Sequence, residues 1–336
     1  MKLSAEQIKS VITGAAYFCE DDGKVNPLRF SKEQQEFFLG GEVKAFYTRT
    51  FSSAGIKAEF ITDSSNITLE TEMDQGSSRT WFSFDIRVNG ELIHTIHGDL
   101  KDADGNIEKK IIKETVSLGE GEKKVTLYFP WSVKTNIISL ELDDNSYITP
   151  APRKLKMLTY GDSITHGYDA KNPSLSYASI IADTFDADAC NKAIGGEIFR
   201  PALAAMPENF TPDVITVAYG TNDFSKCTKE EFDNNSTEFY NTLARLYPTA
   251  KIISLAPIYR TDYQKKPEKF GEPFDYVLYR LREIAKDIPQ MTVIDCFDFL
   301  PKTQDVFQDL RIHPNNTGFD YYAKGVIAEI RKLGIL

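Results

Sequence analysis

Four short segments in the second half of the sequence carry residues that could do nucleophilic chemistry. They are Gly161-Asp162-Ser163, Gly195-Gly196, Gly220-Thr221-Asn222-Asp223 and Asp309-Leu310-Arg311-Ile312-His313. A seryl hydroxyl attacks a carbonyl when a base within about 3 Å accepts its proton. Amide groups that point at the carbonyl oxygen then stabilise the charge that develops there. Each segment alone is typical of a helix cap or a turn, but their order and placement together are not expected by chance.

The base for this serine has to come from a small set, because the sequence holds four histidines. Two of them, His94 and His97, fall in a run of alternating, strand-like sequence. His166 lies three residues after Ser163, on the same predicted helical turn, where we expect a cleft wall or a surface position. A general base must face the hydroxyl from the opposite side, and this requirement favours His313.

The elements that must position these residues alternate between apolar strands and amphipathic helices. The predicted strands are 155–160, 187–193, 213–219, 251–257 and 292–297, and the predicted helices are 176–185, 229–247, 274–286 and 317–333, with a short one from Phe199. This alternation is typical of an α/β fold with a parallel sheet covered on both faces. Sites in such sheets form at the carboxyl ends of the strands, and three of the four segments follow a predicted strand.

The first part of the chain has a different pattern. Residues 43–147 form short alternating runs broken by turn residues, including an Asn89-Gly90 pair that is a strong hairpin signal. The number and spacing of these runs predict an antiparallel β-sandwich or jelly roll. The prolines of Thr149-Pro150-Ala151-Pro152 mark the change of character. We therefore predict two domains, 1–150 as an accessory β-sandwich and 151–336 as the α/β domain.

Composition excludes several classes of partner. The 336 residues carry 39 basic and 49 acidic side chains, and the net charge of −10 repels nucleic acid and anionic lipid surfaces. No run approaches the roughly 18 consecutive apolar residues that cross a membrane. The first ten residues lack the apolar core of a secretory signal, so we expect a cytoplasmic protein. Four scattered cysteines predict neither a zinc site nor a redox pair.

The four segments together resemble the signature blocks of the SGNH hydrolases, also called GDSL esterases, over most of residues 155–336. The resemblance implies a flavodoxin-like α/β/α fold, hydrolysis of carboxylic esters, and no metal or organic cofactor. It also implies Ser163 as the nucleophile and His313 as its base. The implied oxyanion hole consists of the backbone amides of Ser163 and Gly196 and the side-chain amide of Asn222. Gly195 is the near alternative to Gly196, which the family's spacing favours.

One position departs from the family pattern. Family members usually place an aspartate three residues before the histidine to orient its ring, but here Leu310 holds that position. The acid, Asp309, lies four residues before His313. A one-residue bulge would still bring Asp309 to the ring, or a main-chain carbonyl would hold the imidazole and leave a Ser–His dyad. We prefer Asp309 as the orienting acid.

A β-sandwich in front of such a domain resembles the two-domain carbohydrate esterases of family two, which remove acetyl groups from plant polysaccharides. This resemblance implies an esterase acting on acetylated oligosaccharides, with the sandwich as a wall of the cleft or a contact in a homo-oligomer. Two alternatives stay open: a lysophospholipase or thioesterase, and a non-catalytic carbohydrate-binding protein. Trp81 and Trp131 could stack on a sugar ring, although burial in the core is the preferred expectation.

Overall fold

The structure is a computed structural model that describes residues 1–336, apart from the side chains of Asp21 and residues 41–45. The chain divides into two compact units. The first comprises Met1–Arg153 together with Asn172–Ser174, and the second comprises Lys154–Lys171 and Leu175–Leu336. The assignment of 1–150 as an accessory domain and 151–336 as a catalytic domain stays a prediction.

In the described backbone, the first unit consists mainly of antiparallel strands. They are β1 (Ile12–Thr13), β2 (Tyr17–Asp21), β3 (Lys24–Leu28), β4 (Lys57–Thr62), β5 (Asn66–Gln75), β6 (Trp81–Val88), β7 (Glu91–Asp99), β8 (Lys110–Ser117), β9 (Lys123–Tyr128), β10 (Val133–Leu142) and β11 (Thr149–Pro150). One sheet has the order β1-β4-β9-β6-β7, with β11 also paired to β4. The other has the order β2-β3-β10-β5-β8. Short helices α1 (Ala5–Val11) and α2 (Lys32–Phe37) precede β1 and follow β3.

The two sheets share one hydrophobic core. Successive side chains of a strand point to opposite faces, and in β5 the buried faces of Ile67, Leu69 and Met73 alternate with less buried neighbours. These residues belong to the same cluster as Phe60 and Phe84 of the other sheet. The cluster confirms the antiparallel β-sandwich, and the jelly-roll connectivity stays a prediction.

The two tryptophans of this unit pack against each other. Trp131 is buried and Trp81 is half-buried, with ring centroids 5.2 Å apart in an edge-to-face arrangement. Aromatic pairs favour this geometry because the positive ring edge meets the negative ring face. Trp131 therefore lies in the core, as expected.

The predicted strand at residues 43–51 is wrong, because Gly41–Phe51 form a 3-10 helix. The side chains of residues 43–45 lie outside the described residues. Further along the segment, the rings of Tyr47 and Phe51 contact each other edge to face, with centroids 5.0 Å apart. Residues four apart are neighbours in a helical segment and are distant in a strand. The helical backbone therefore permits this ring contact, which an extended strand would not.

The hairpin of β2 and β3 lies before residue 43, where the predicted sheet begins. Asp22 and Gly23 connect the two strands with φ angles of 49° and 73°. A two-residue turn with both central φ angles positive matches the right-handed twist of the flanking strands, and Asp-Gly is a favoured sequence for it. The signal was present in the sequence.

The second unit has the predicted parallel sheet. Its strands are β12 (Leu155–Gly161), β13 (Ala187–Asn191), β14 (Val214–Ala218), β15 (Lys251–Leu255) and β16 (Met291–Ile294). Its helices are α3 (Ser163–His166), α4 (Tyr177–Thr184), α5 (Pro201–Ala204), α6 (Thr221–Lys226), α7 (Lys229–Leu246), α8 (Tyr276–Ala285) and α9 (Asn316–Lys332).

The strand order is β13-β12-β14-β15-β16, which is the flavodoxin-like order. Helix α4 packs with α9, and α7 packs with α5 and α8. The predicted flavodoxin-like α/β/α domain is confirmed. In this order β13 lies on one side of β12 and β14 on the other, so the order in which strands are added reverses between β12 and β14. Such folds place their ligands at this switch point. None of the helices in the described part of the chain is long and apolar enough to cross a bilayer.

Candidate active site

Ser163 stands at the junction of the interior strand β12 and helix α3. Asp162 precedes it as the helix N-cap, and its Oδ1 accepts a hydrogen bond from Ile164 N at 2.9 Å. A Cβ at Gly161 would collide with Thr165, so only glycine lets the chain turn this closely from strand to helix. The first amide of a helix has no partner within that helix, and Ser163 therefore presents a backbone N–H at the sheet edge.

His313 lies opposite the serine hydroxyl. Its Nε2 is 2.8 Å from Ser163 Oγ, although 150 residues separate the two in sequence. The histidine lies in a loop that is closed by a bridge between Phe307 and Pro314 and leads into α9. The Gln308 amide donates to the His313 carbonyl at 2.8 Å within this loop. The imidazole is thus within proton-transfer distance of the hydroxyl.

The Asp309 carboxylate contacts both the histidine ring and its own loop. Its Oδ2 is 2.9 Å from His313 Nδ1, and its Oδ1 accepts hydrogen bonds from Arg311 N, Ile312 N and His313 N at 2.8 to 3.0 Å. Partial burial acts to raise the pKa of Asp309, but the bonds from His313 and the backbone amides outweigh it and hold this pKa well below its usual range. The group therefore remains an anion.

Leu310 explains how an acid four residues before the histidine reaches the ring. Its φ angle is 58°, in the left-handed region that non-glycine residues seldom adopt. This residue takes up the extra length, so that Asp309 folds back over the loop. Of the two arrangements left open by the sequence, the structure has the Asp309 side chain on His313.

Tyr168 and Asp169 adjoin the same imidazole, and the sequence analysis did not identify them. The rings of Tyr168 and His313 lie 5.8 Å apart with an interplanar angle of 32°, and Asp169 Oδ2 lies 3.4 Å from His313 Nδ1. Gly195 leaves the room that Tyr168 occupies, because a Cβ there would fall 2.6 Å from the tyrosine ring. Neither residue belongs to a recognisable motif, so no sequence signal marks them.

His166 is not a surface or cleft-wall residue, and that expectation is wrong. It is 1% exposed, and its Nδ1 accepts a hydrogen bond from Gly195 N at 3.3 Å. Its ring also meets Tyr168 edge to face. The hydrogen bond occupies the Gly195 amide, which leaves Gly196 as the better placed of the two glycines to donate to a substrate oxygen. Gly196 itself has a φ of 86°, which glycine adopts without steric cost.

Asn222 opens helix α6 at the end of β14, across the switch point from Ser163. Its Nδ2 donates to the Glu197 carbonyl at 2.9 Å, which fixes the amide and leaves its second N–H for another acceptor. Lys226 also contacts this loop through the Gly196 carbonyl, at 2.5 Å. The three predicted donors, on Ser163, Gly196 and Asn222, thus come from the ends of three neighbouring strands.

Two buried carboxyl groups order the loops around these donors. Burial raises the pKa of Asp162 to about 6 and that of Asp223 to about 7. Asp223 accepts hydrogen bonds from Phe199 N and Gly220 N, both at 3.0 Å. The contacts of Asp162 and Asp223 thus order the loops that follow β12 and β14. Across the described residues, no group of three or more His, Cys, Asp or Glu side chains is placed to hold a metal ion.

A cavity of about 420 Å³ lies at the same edge of the sheet, beyond the ends of β15 and β16. Its lining is mainly apolar and includes Pro257, Tyr263, Phe274, Leu278 and Phe297. Parallel strands end at one edge, so this cavity and Ser163 share a side of the fold. It has the size and character of a small-molecule pocket.

A family model matches most of the second unit. Residues 159–321 match the model of the GDSL-like lipase/acylhydrolase family. No curated protein matches the sequence.

Solved structures resemble the whole chain at low sequence identity. A salicylyl-acyltransferase from a tetracycline biosynthetic pathway is 20% identical with a TM-score of 0.83, over 97% of this chain and 95% of that chain. A GDSL-like lipase from Bacteroides ovatus is 19% identical with a TM-score of 0.76, over 99% and 97%. A family two carbohydrate esterase from Clostridium thermocellum, in complex with cellohexaose, is 19% identical with a TM-score of 0.64, over 85% and 94%. These likenesses establish a shared fold. The matched residues, 159–321, form a domain of the GDSL-like lipase/acylhydrolase family.

Proposed function

We propose that this protein is a serine esterase that removes acetyl groups from acetylated oligosaccharides. The observation that carries the esterase assignment is the contact of His313 Nε2 with Ser163 Oγ at 2.8 Å, with Asp309 on the other ring nitrogen. A hydroxyl, an imidazole and a carboxylate in this relation form the arrangement that activates serine in many unrelated folds.

The first half of the reaction transfers the acyl group to the enzyme. Ser163 Oγ bonds to the ester carbonyl carbon while its proton passes to His313 Nε2. The ester C–O bond then breaks, and the same proton passes from Nε2 to the oxygen of the departing sugar hydroxyl. In the second half, water gives its proton to Nε2, attacks the acyl carbon, and releases acetate with the proton returned to Ser163.

The carbonyl oxygen becomes negatively charged at each attack. The donors that would stabilise it are the amides of Ser163 and Gly196 and the free N–H of Asn222. The N-terminus of α3 adds a partial positive charge at the same place, although a helix of four residues contributes little beyond its first amides.

The substrate class rests on the two-unit architecture. The likeness to the family two carbohydrate esterase suggests the same arrangement, a sandwich joined to a GDSL-like domain. The structure of that esterase contains cellohexaose. An acetyl xylan esterase from Butyrivibrio proteoclasticus has the same fold at 17% identity. We therefore propose a sugar as the alcohol and acetate as the acid. A cytoplasmic location, homo-oligomerisation and a role for the sandwich in substrate binding stay predictions.

A chain-length series tests this substrate. We expect kcat/KM for p-nitrophenyl esters to fall by roughly tenfold or more between acetate and butanoate, because two added methylenes must fit a site shaped for one methyl group. Acetylated xylo- and cello-oligosaccharides should release acetate, which a coupled assay measures. Activity that rises with chain length would contradict the acetyl assignment and leave the serine esterase intact.

The cavity at the same edge of the sheet supports a second candidate, an esterase or acyltransferase for a longer or aromatic acyl group. A volume of about 420 Å³ with an aromatic lining would hold such a group, and the salicylyl-acyltransferase shares this fold. The same series discriminates between the two when benzoate and octanoate esters are included. Adding glycerol or a sugar as a competing acceptor then shows whether water or an alcohol receives the acyl group. Binding to acetylated sugars without any release of acetate would favour a carbohydrate-binding protein.

Substitution of Asn222 tests the oxyanion donors. We expect Asn222→Ala to lower kcat by about 10²- to 10³-fold with little change in KM, because the lost N–H acts on a charge present in the transition state. Asn241→Ala, at an exposed position of α7, removes an asparagine remote from these donors and should leave kcat unchanged. Thermal unfolding of both variants reports whether the Asn222 contact to Glu197 also stabilises the fold. Equal kcat in the two variants would remove Asn222 from the mechanism.

A further inference from the structure

The turn that follows α3 places a second carboxylate against His313. Asp169 Oδ2 lies 3.4 Å from His313 Nδ1, the same atom that faces Asp309 Oδ2 at 2.9 Å. The Asp169 side chain is 7% exposed, compared with 30% for Asp309. Water weakens the interaction between exposed charges. Asp169 is farther from the ring than Asp309, but it acts on the ring through a less polar medium.

The backbone fixes Asp169 in this place. Its φ angle is 69°, a left-handed conformation that aspartate tolerates better than most residues. At one end of the turn, Tyr168 N donates to the Ser163 carbonyl at 2.9 Å. At the other end, Lys171 N donates to Asn316 Oδ1 at 3.0 Å, at the start of the helix that follows the histidine loop. The turn is therefore tied to both the serine and the histidine segments.

We propose that Asp169 is a second positioning residue for His313, which shares the Nδ1 proton with Asp309 and holds that proton alone when Asp309 is removed. The proposal deepens the proposed function and rests on it, since it matters for catalysis only if His313 is the base. When the ring accepts the serine proton, two carboxylates then face the single Nδ1–H.

The direct test is the Nδ1–H proton resonance of His313 in protein labelled with ¹⁵N-histidine, which requires no turnover. We expect this hydrogen-bonded resonance to shift in Asp169→Asn, to persist at a new position in Asp309→Ala, and to disappear in the double variant. Loss of the resonance in Asp309→Ala alone, in a protein that remains folded, would overturn the proposal. An unshifted resonance in Asp169→Asn, in which the histidine loop is intact, would also overturn it.

Kinetics give the second readout. We expect Asp169→Asn to lower kcat by about tenfold at unchanged KM, because one hydrogen-bonding partner of a charged ring is lost. In the double variant Asp169→Asn, Asp309→Ala, the fold-loss of kcat should exceed the product of the losses in the two single variants. Neither acid is then present to substitute for the other. All rates are expressed per active site counted with a serine-directed phosphonate, so that misfolded protein does not contribute. Asp169→Glu keeps a carboxylate at this position and should therefore retain part of the kcat that Asp169→Asn loses.

The matched control is Asp320→Asn, at a half-exposed position of α9, which removes one negative charge remote from the ring. It should change neither the resonance nor kcat. If Asp169→Asn has the same kcat as this control, the proposal fails while the esterase assignment stands. If the wild-type protein hydrolyses no ester, the proposed function fails, and the resonance still reports whether Asp169 holds the ring.

Discussion

Ser163→Ala should lower kcat/KM for acetate esters by about 10⁴- to 10⁶-fold, to a level set by substrate binding and the oxyanion donors alone. The reason is that the methyl group of alanine cannot form the covalent bond to the acyl carbon, so the reaction has to wait for direct attack by water. Stopped assays with a sensitive chromogenic ester compare the activity of Ser163→Ala with that of the wild-type protein. Thermal unfolding, measured in parallel, compares their folding.

A serine-directed phosphonate provides an independent measurement of the same claim. The wild-type protein should gain one adduct, located at Ser163 by peptide mass spectrometry, and Ser163→Ala should gain none. Ser10→Ala is the matched control, since Ser10 is exposed on α1 and its hydroxyl only donates to Gln7 O. Substantial turnover in Ser163→Ala, or an adduct elsewhere, would refute a serine nucleophile at this position.

His313→Ala is the second large effect that we expect. Without a base at 2.8 Å the hydroxyl keeps its proton, and kcat should fall by about 10⁴- to 10⁶-fold. Because the hydroxyl and the imidazole act as a unit, the double variant with Ser163→Ala should be no slower than either single variant. Rates that multiply instead would mean that the two residues act separately.

Added imidazole makes this test specific to the proton-transfer role. The space vacated by the side chain of His313→Ala can admit free imidazole, and we expect it to restore part of the activity in proportion to its concentration. His97→Ala removes an exposed histidine of β7 and should show neither the loss nor the rescue. A folded His313→Ala protein with near wild-type kcat would exclude His313 as the base.

Much of the α/β unit could be predicted because parallel strands give a regular signal. The strands from β12 to β16 and the long helices α7 and α9 begin and end within a few residues of their predicted positions. Parallel strands end at one edge, so their order alone brings the segments after β12 and β14 together. Prediction of the contact between Ser163 and His313 needed the family resemblance as well, because a loop near the chain end has no such regularity.

Other parts of the site depend on backbone conformations that sequence patterns do not encode. Whether Asp309 reaches the ring is decided by the left-handed φ of Leu310, which few leucines adopt. Asp169 is itself left-handed, and its turn is held by a hydrogen bond from Lys171 N to Asn316, 145 positions further along the chain. His166 is buried and accepts a hydrogen bond from Gly195 N, a contact between two strand ends that the local sequence does not reveal.

The histidine loop is internally bonded from end to end, and this has a practical consequence for protein engineering. The Phe307–Pro314 bridge closes it, and one oxygen of Asp309 gathers three successive amides inside it. Moving the acid by one position, to match the spacing of other family members, would abandon those amides and set a carboxylate on a left-handed residue. Loop grafts between relatives should therefore exchange residues 307–314 as one segment, from one bridge residue to the other. A single substitution would give a chimera that has the loop geometry of neither parent.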